Sequence, residues 1–242
     1  MLLLMACAAP EAPAELDELA VYLYEAHGDE EAMAAGVASL QIWLEANPEL
    51  EPDYAISPLS AEGVQALDSA DRSVDGLVGL AVVTRSVHDV DSAALAMVGT
   101  DLTEVYPDLF VDHDVTWEGD PACFLDHGCP RLEGLEDYTT SLPLSIEVQA
   151  KPYNEYLWTD GELTAMTQRN WLTEPPEVNN ELLAVEEQLY LNLFVDDSAG
   201  GFWRLQATWA IFTGADDDIA LAATGGSMRD NSEVLDEWLD GQ

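Results

Sequence analysis

Apolar residues near the start of the chain recur at helical spacing. Leu16, Leu19, Ala20 and Leu23 make one stripe, and Met33, Val37, Leu40 and Leu44 make a second, because residues three and four apart share one helix face. His27-Gly28 interrupts the two stripes, and Asp29 is placed to cap the second helix with Glu30 and Glu31 in its first turn. Asn47-Pro48 ends that helix. The pattern predicts a helical hairpin over 15–47 whose stripes face a core. An acidic, proline-containing loop (48–59) follows, then a short helix capped by Ser60 and reaching Leu67.

Leu77–Val87 is apolar, rich in valine and bounded by Gly76, which predicts a largely buried strand. Asp91 then opens a helix carrying Ala93, Leu95, Ala96 and Val98. Residues 99–140 show no clear period and read as irregular and acidic. From Leu144 the period becomes two: Leu144, Ile146, Val148 and Ala150 alternate with Ser145, Glu147, Gln149 and Lys151. Tyr153–Trp158 and Glu162–Leu172 flank a tight turn at Thr159-Asp160-Gly161. Leu189, Leu191, Leu193 and Val195 alternate again. After the reversal at Asp196–Gly201, Trp203, Leu205, Ala207, Trp209 and Ile211 take one side of a returning strand, with Arg204, Gln206 and Thr208 on the other. An Asp run (216–218) leads to a short final helix, Ser232–Leu239.

This order predicts an α+β fold: an N-terminal helical hairpin, then an antiparallel β-meander with helices packed on one face. The boundaries implied are a helical region over 15–70 and an α+β domain over 71–242. From Leu77 onward the element order resembles the helix-grip fold of START-like lipid and ligand carriers, in which a first strand leads through helical segments to a meander curled around a cavity. That resemblance implies a hydrophobic small-molecule ligand. The pattern departs from it at the end, where that family has a long closing helix and only Ser232–Leu239 is predicted.

The chain has 242 residues, 48% of them hydrophobic, enough for a sizeable core. Its 48 acidic residues against seven basic ones give a net charge of −41. Nucleic-acid binding, which needs clustered Lys and Arg, is excluded. The acids read as a solvated coat that binds cations non-specifically.

Cys123 and Cys129 bracket Phe-Leu-Asp-His-Gly, and outside the cytoplasm two remaining cysteines most simply pair. A zinc site from these thiols with His127 and His113 is the sharper alternative, although the usual paired motif is missing. Leu4-Met5-Ala6-Cys7 resembles the lipobox of bacterial lipoproteins, which implies that residues 1–6 are the remnant of a signal peptide and that Cys7 carries the lipid. Residues 8–14, Pro- and Ala-rich, read as the tether. The stub lacks the basic segment and the full apolar run of a secretory signal, which an upstream start would supply. Within that family, Ala8 after the cysteine implies the outer membrane in preference to the inner one.

No G-x-S-x-G, H-E-x-x-H, phosphate-binding glycine loop or G-x-G-x-x-G occurs, so no catalytic residue, cofactor or resident metal is assigned. The calcium-like run Asp112–Thr116 has Trp117 and Cys123 where an EF-hand loop needs Gly and Glu. His27, His88, His113 and His127 read as surface or loop residues. Trp158, Trp171, Trp203 and Trp209 read as core, with ligand-facing aromatics as the alternative. The expectation is a lipid-anchored extracytoplasmic protein with an interaction or structural role, and a carrier of a hydrophobic small molecule as the alternative.

Overall fold

The computed structural model describes residues 11–67, 72–142, 146–161, 163–179, 184–214 and 216–242. Cys7, Leu144, Ser145 and Glu162 lie outside the described residues. The hairpin forms as α1 (Leu16–Glu25) and α2 (Glu30–Ala46). Asp29 caps α2 by accepting from the Glu31 and Ala32 amides at 3.0 and 3.1 Å, which satisfies two of the helix's orphan donors. β1 (Tyr54–Ile56) and α3 (Ala61–Gln65) follow, with Ser60 capping α3 through the Gly63 amide.

β2 (Val78–Ser86) is the predicted buried strand. The next helix, α4 (Val90–Ala94), begins one residue before Asp91. Its cap is Asp89, which accepts from the Ser92 amide at 2.8 Å, and Asp91 sits in the first turn. A π-helical turn, Leu95–Gly99, and α5 (Leu102–Val105) continue it.

Residues 99–140 are not irregular. They contain β3 (Phe110–Glu118), α6 (Pro121–Leu125) and most of β4 (Arg131–Leu142). In β3 the side turned inward carries His113, Val115 and Trp117, with Asp114 and Thr116 facing out between them, and its register slips between Phe110 and Asp112. The apolar alternation is short, and the imidazole of His113 and the slip after Phe110 interrupt it.

β5 (Ile146–Ala150), β6 (Pro152–Thr159), β7 (Ala165–Leu172), β8 (Glu177–Val178), β9 (Ala184–Asp196) and β10 (Phe202–Thr213) complete one antiparallel sheet. Its order among the described residues is β1-β2-β10-β9-β7-β6-β4-β5-β8, with β3 on β4. β2 and β10, distant in sequence, pair from Ser86↔Phe202 to Val78↔Ala210.

The chain ends in α7 (Asp217–Asp240), three times the length expected of the last helix. Asp216 caps it through the Asp218 amide. Gly225-Gly226 hid its first half, since glycine inside a helix costs about 1 kcal/mol against alanine. The packing explains Gly225: a Cβ there would come within 2.9 Å of Leu80 Cδ2 on β2.

Helices cover both faces of the sheet. On one, Leu19, Leu23, Tyr24, Met33 and Leu40 of the hairpin pack on Leu189, Leu191, Leu205, Ala207 and Trp209. Trp209 is fully buried, lies 5.2 Å from the Tyr24 ring centre, and donates its indole N–H to Ser57 O at 2.8 Å. On the other, α4, α6 and the end of α7 bury Phe124, Tyr156, Trp158, Phe194, Phe202 and Leu235. Met228 of α7 meets Leu80 and Val82 of β2.

Candidate functional site

Beneath α7 the sheet presents polar side chains. Alternation puts Arg204 and Gln206 of β10, Asn192 and Tyr190 of β9, Gln168 of β7, and Asn154 and Tyr156 of β6 opposite the face that holds the hairpin. Gln206, Asn192 and Asn154 are almost wholly buried. Such groups are tolerated only when hydrogen-bonded, and these form a connected chain. Gln168 donates to Asn154 Oδ1 at 2.8 Å and to the Tyr156 hydroxyl at 3.0 Å, and Asn192 donates to Gln168 Oε1 at 3.3 Å. Arg204 Nε donates to Asn192 Oδ1 at 2.9 Å, and its Nη1 to Ser232 Oγ at 3.3 Å. Gln206 donates to Met228 O and Ser232 Oγ, both at 2.9 Å, and accepts from the Tyr190 hydroxyl at 2.7 Å.

Between this polar wall and the helices lies a cavity of about 230 Å³. Its apolar side is Met97, Leu102, Tyr106, Leu109 and Phe110; its polar side includes Tyr190, Asn192, Arg204 and Gln206, with Asn231 from α7. Burial pushes the Tyr190 phenol up to about 12, although the Arg204 guanidinium pulls it the other way. It therefore acts as a neutral donor.

Glu136 of β4 is the acid of the same cavity and is itself buried. His113 Nε2 stands 4.0 Å from Glu136, while its Nδ1 is 3.6 Å from Asp101. Burial, followed by the charge of Glu136, pushes the Tyr156 phenol well up.

The residues singled out from sequence are scattered around this cavity. Trp171, Trp203 and Trp209 belong to the hairpin side. Trp158 packs on Phe124 and His127, with ring centres 5.4 and 4.0 Å away, and donates to Phe124 O. None of the four lines the cavity. Cys123 and Cys129 are joined in a disulfide, with Cα atoms 5.3 Å apart. His127 in that ring hydrogen-bonds Asp91 at 2.8 Å. His27 is not a surface residue: it is 1% exposed where α1 turns into α2. The His113 side chain is buried as well. Both lie beside carboxylates, His27 Nδ1 at 3.5 Å from Glu155 and His113 Nδ1 at 3.6 Å from Asp101. Among the described residues no group of three or more His, Cys, Asp and Glu is arranged to hold a metal ion.

Arg204, Gln206 and Asn192 do not stand out as site residues in the sequence, because polar positions on an alternating strand usually face water. The available signal was α7: a long helix over that side would have turned the same alternation into a buried polar wall.

No protein-family model matches the sequence, and no curated protein does. Solved structures do match in fold. The STAR-related lipid transfer protein of Xanthomonas axonopodis (fragment 25–204) is similar over 79% of this chain and 96% of its own, at 10% identity and a TM-score of 0.52. The human StarD13 lipid transfer and protein localization domain is similar over 84% of this chain and 95% of its own, at 13% identity and a TM-score of 0.45. At 10% identity the first of these speaks to fold alone. The long α7 removes the departure noted in the sequence, and the chain has the helix-grip arrangement that its element order resembles.

Proposed function

We propose that this protein carries a small amphipathic molecule in the cavity between α7 and the sheet. The observation that carries the reading is the cavity itself, open space bounded by five apolar side chains on one side and a hydrogen-bonded polar wall on the other. At about 230 Å³ it lies below the usual range of drug-sized ligand pockets, roughly 300–1,000 Å³. The cargo is accordingly small, and it has a polar end. The fold's likeness to a lipid transfer protein supports a carrier over a purely structural part.

The carrier works outside the cytoplasm, tethered through Cys7. The lipobox-like Leu4–Cys7 and the Pro/Ala stretch behind it support the anchor, and the Cys123–Cys129 bridge fits an oxidising compartment. Among the described residues no helix is long and apolar enough to cross a membrane. Expressed with its natural start in a bacterium, the protein should take up labelled fatty acid, and Cys7→Ser should abolish uptake.

The test of the carrier is calorimetric titration with straight-chain alcohols of increasing length. Each buried methylene contributes about 0.8 kcal/mol, so affinity should climb about fourfold per carbon, then level off when the cavity is full. Asn231→Trp, which fills the space from α7, should abolish binding. If no alcohol binds to the wild type, the carrier reading fails.

A further inference from the structure

Of the seven Lys and Arg side chains, five stand within 4.0 Å of a carboxylate: Arg72 with Glu187, Arg85 with Asp197, Lys151 with Glu174, Arg169 with Glu155, and Arg229 with Asp53. Arg131, which is exposed, donates to the main-chain oxygen of Gly28. Arg204 is the exception that matters. It is 97% buried by its 3% exposure and lines the cavity, yet among the described residues it meets no carboxylate at that distance. In a chain with 48 acids, pairing it would have needed one ordinary substitution.

What surrounds Arg204 holds it in place without a carboxylate in direct contact among the described residues. Neutral acceptors, Asn192 Oδ1 and Ser232 Oγ, take Nε and Nη1. The guanidinium carbon lies 5.1 Å from the centre of the Phe194 ring, which fixes the plane of the fork. A buried cation without a counter-ion is costly, and a planar guanidinium matches a carboxylate in two parallel hydrogen bonds. Tyr190 and Asn231 offer further polar groups on the same wall.

We propose that Arg204 anchors the head of an anionic ligand, and that the cavity takes a monocarboxylate with a short alkyl chain. Its carboxylate sits on Arg204, and its tail lies against Met97, Leu102, Tyr106 and Phe110. A volume of about 230 Å³ corresponds, at about 30 Å³ per water-sized unit, to about eight heavy atoms. That is the size of a six-carbon acid, with the eight-carbon acid, at ten heavy atoms, as the upper limit. Glu136 presents the opposite charge from β4, so the cavity discriminates by where a head group lands. The inference rests on the carrier reading and narrows its cargo.

The experiment titrates octanoate, octanol and octylamine into the full-length wild-type protein at one pH and ionic strength. Octanoate should bind at least tenfold tighter than octanol, and octylamine more weakly than either. In Arg204→Met, octanoate should lose at least tenfold in affinity and fall to the wild-type octanol level or below. Equal wild-type affinities for the acid and the alcohol overturn the anchor and leave the carrier standing. Octylamine binding tightest overturns it in favour of Glu136 as the anchor. Failure of all three to bind overturns the carrier itself. The three head groups decide the matter on the wild type even if the variant does not fold.

Discussion

Gln206 in the centre of β10 donates its side-chain amide to the main-chain oxygen of Met228 on α7 across 2.9 Å. The same amide reaches Ser232 Oγ one helical turn later, so a single 1%-exposed glutamine binds the closing helix to the sheet at two points. The lid of the cavity is held by polar contacts as well as by the apolar ones of Met228 and Leu235.

Replacing Gln206 with leucine should therefore cost more than its similar size suggests. The Tyr190 hydroxyl loses its acceptor and Ser232 loses a partner, and each buried group left unsatisfied costs about 1–3 kcal/mol. A urea midpoint should drop accordingly, with protection from hydrogen exchange lost first in α7. A neutral substitution would show that the apolar contacts alone hold the helix.

How much of this could be read in the sequence varies with the face. The hairpin, β2 and the meander from Ile146 to Thr213 follow from apolar period and caps, because those elements bury conventional stripes. β3, β4 and the first half of α7 do not. On β3 the slip after Phe110 and the imidazole of His113 interrupt a short alternation that ends in Val115 and Trp117, and Gly225 is the small residue that brings α7 close to Leu80. The cavity was illegible for the same reason: Arg204 and Gln206 follow the same alternation as Leu205 and Ala207, and only the helix above them decides which side is wet.

The Cys123–Cys129 bridge closes a ring that carries His127 onto Trp158. Loop entropy assigns so short a closure about 2 kcal/mol. Both thiols should resist alkylation until reduced, and Cys123→Ser with Cys129→Ser should lower stability by about that amount. Free thiols in protein taken from an oxidising compartment would contradict the bridge.

Acid should weaken the hold of the hairpin. His27 Nδ1 lies 3.5 Å from Glu155 Oε2, and Arg169 binds Glu155 through Nε at 2.8 Å while donating to Tyr24 O. Burial, outweighing the pull of Glu155, lowers the His27 pKa from its ordinary 6.5, so the folded protein resists a proton that the unfolded chain accepts. Stability then falls as pH drops below 6.5. Burial raises the Glu155 carboxyl, but His27 and Arg169 outweigh it and bring it from 4.5 to about 2. Its contribution is complete above about pH 4.5 and is lost between there and pH 2. Against wild type, His27→Gln should show a flatter urea midpoint between pH 6.5 and 5, while relief of surface repulsion affects both proteins alike. Identical slopes would remove His27 from the account.

The last prediction concerns the acidic coat. A net charge of −41 spread over 242 residues makes the folded state repel itself. Ion pairs among the described residues take up only a handful of those carboxylates, through Lys151, Arg72, Arg85, Arg169 and Arg229. At 10 mM salt the screening length is about 30 Å, so most surface acids feel one another; at 1 M it is about 3 Å. The five pairs weaken as salt rises, but exposed pairs such as Lys151–Glu174 contribute little to begin with. The many unpaired acids therefore set the sign. The urea midpoint at fixed pH should rise steadily with sodium chloride across that range, by more than for a near-neutral domain of equal length. A flat or falling midpoint would mean that the carboxylates are already neutralised by bound cations at low salt, and the coat would then have to be read as a set of specific sites.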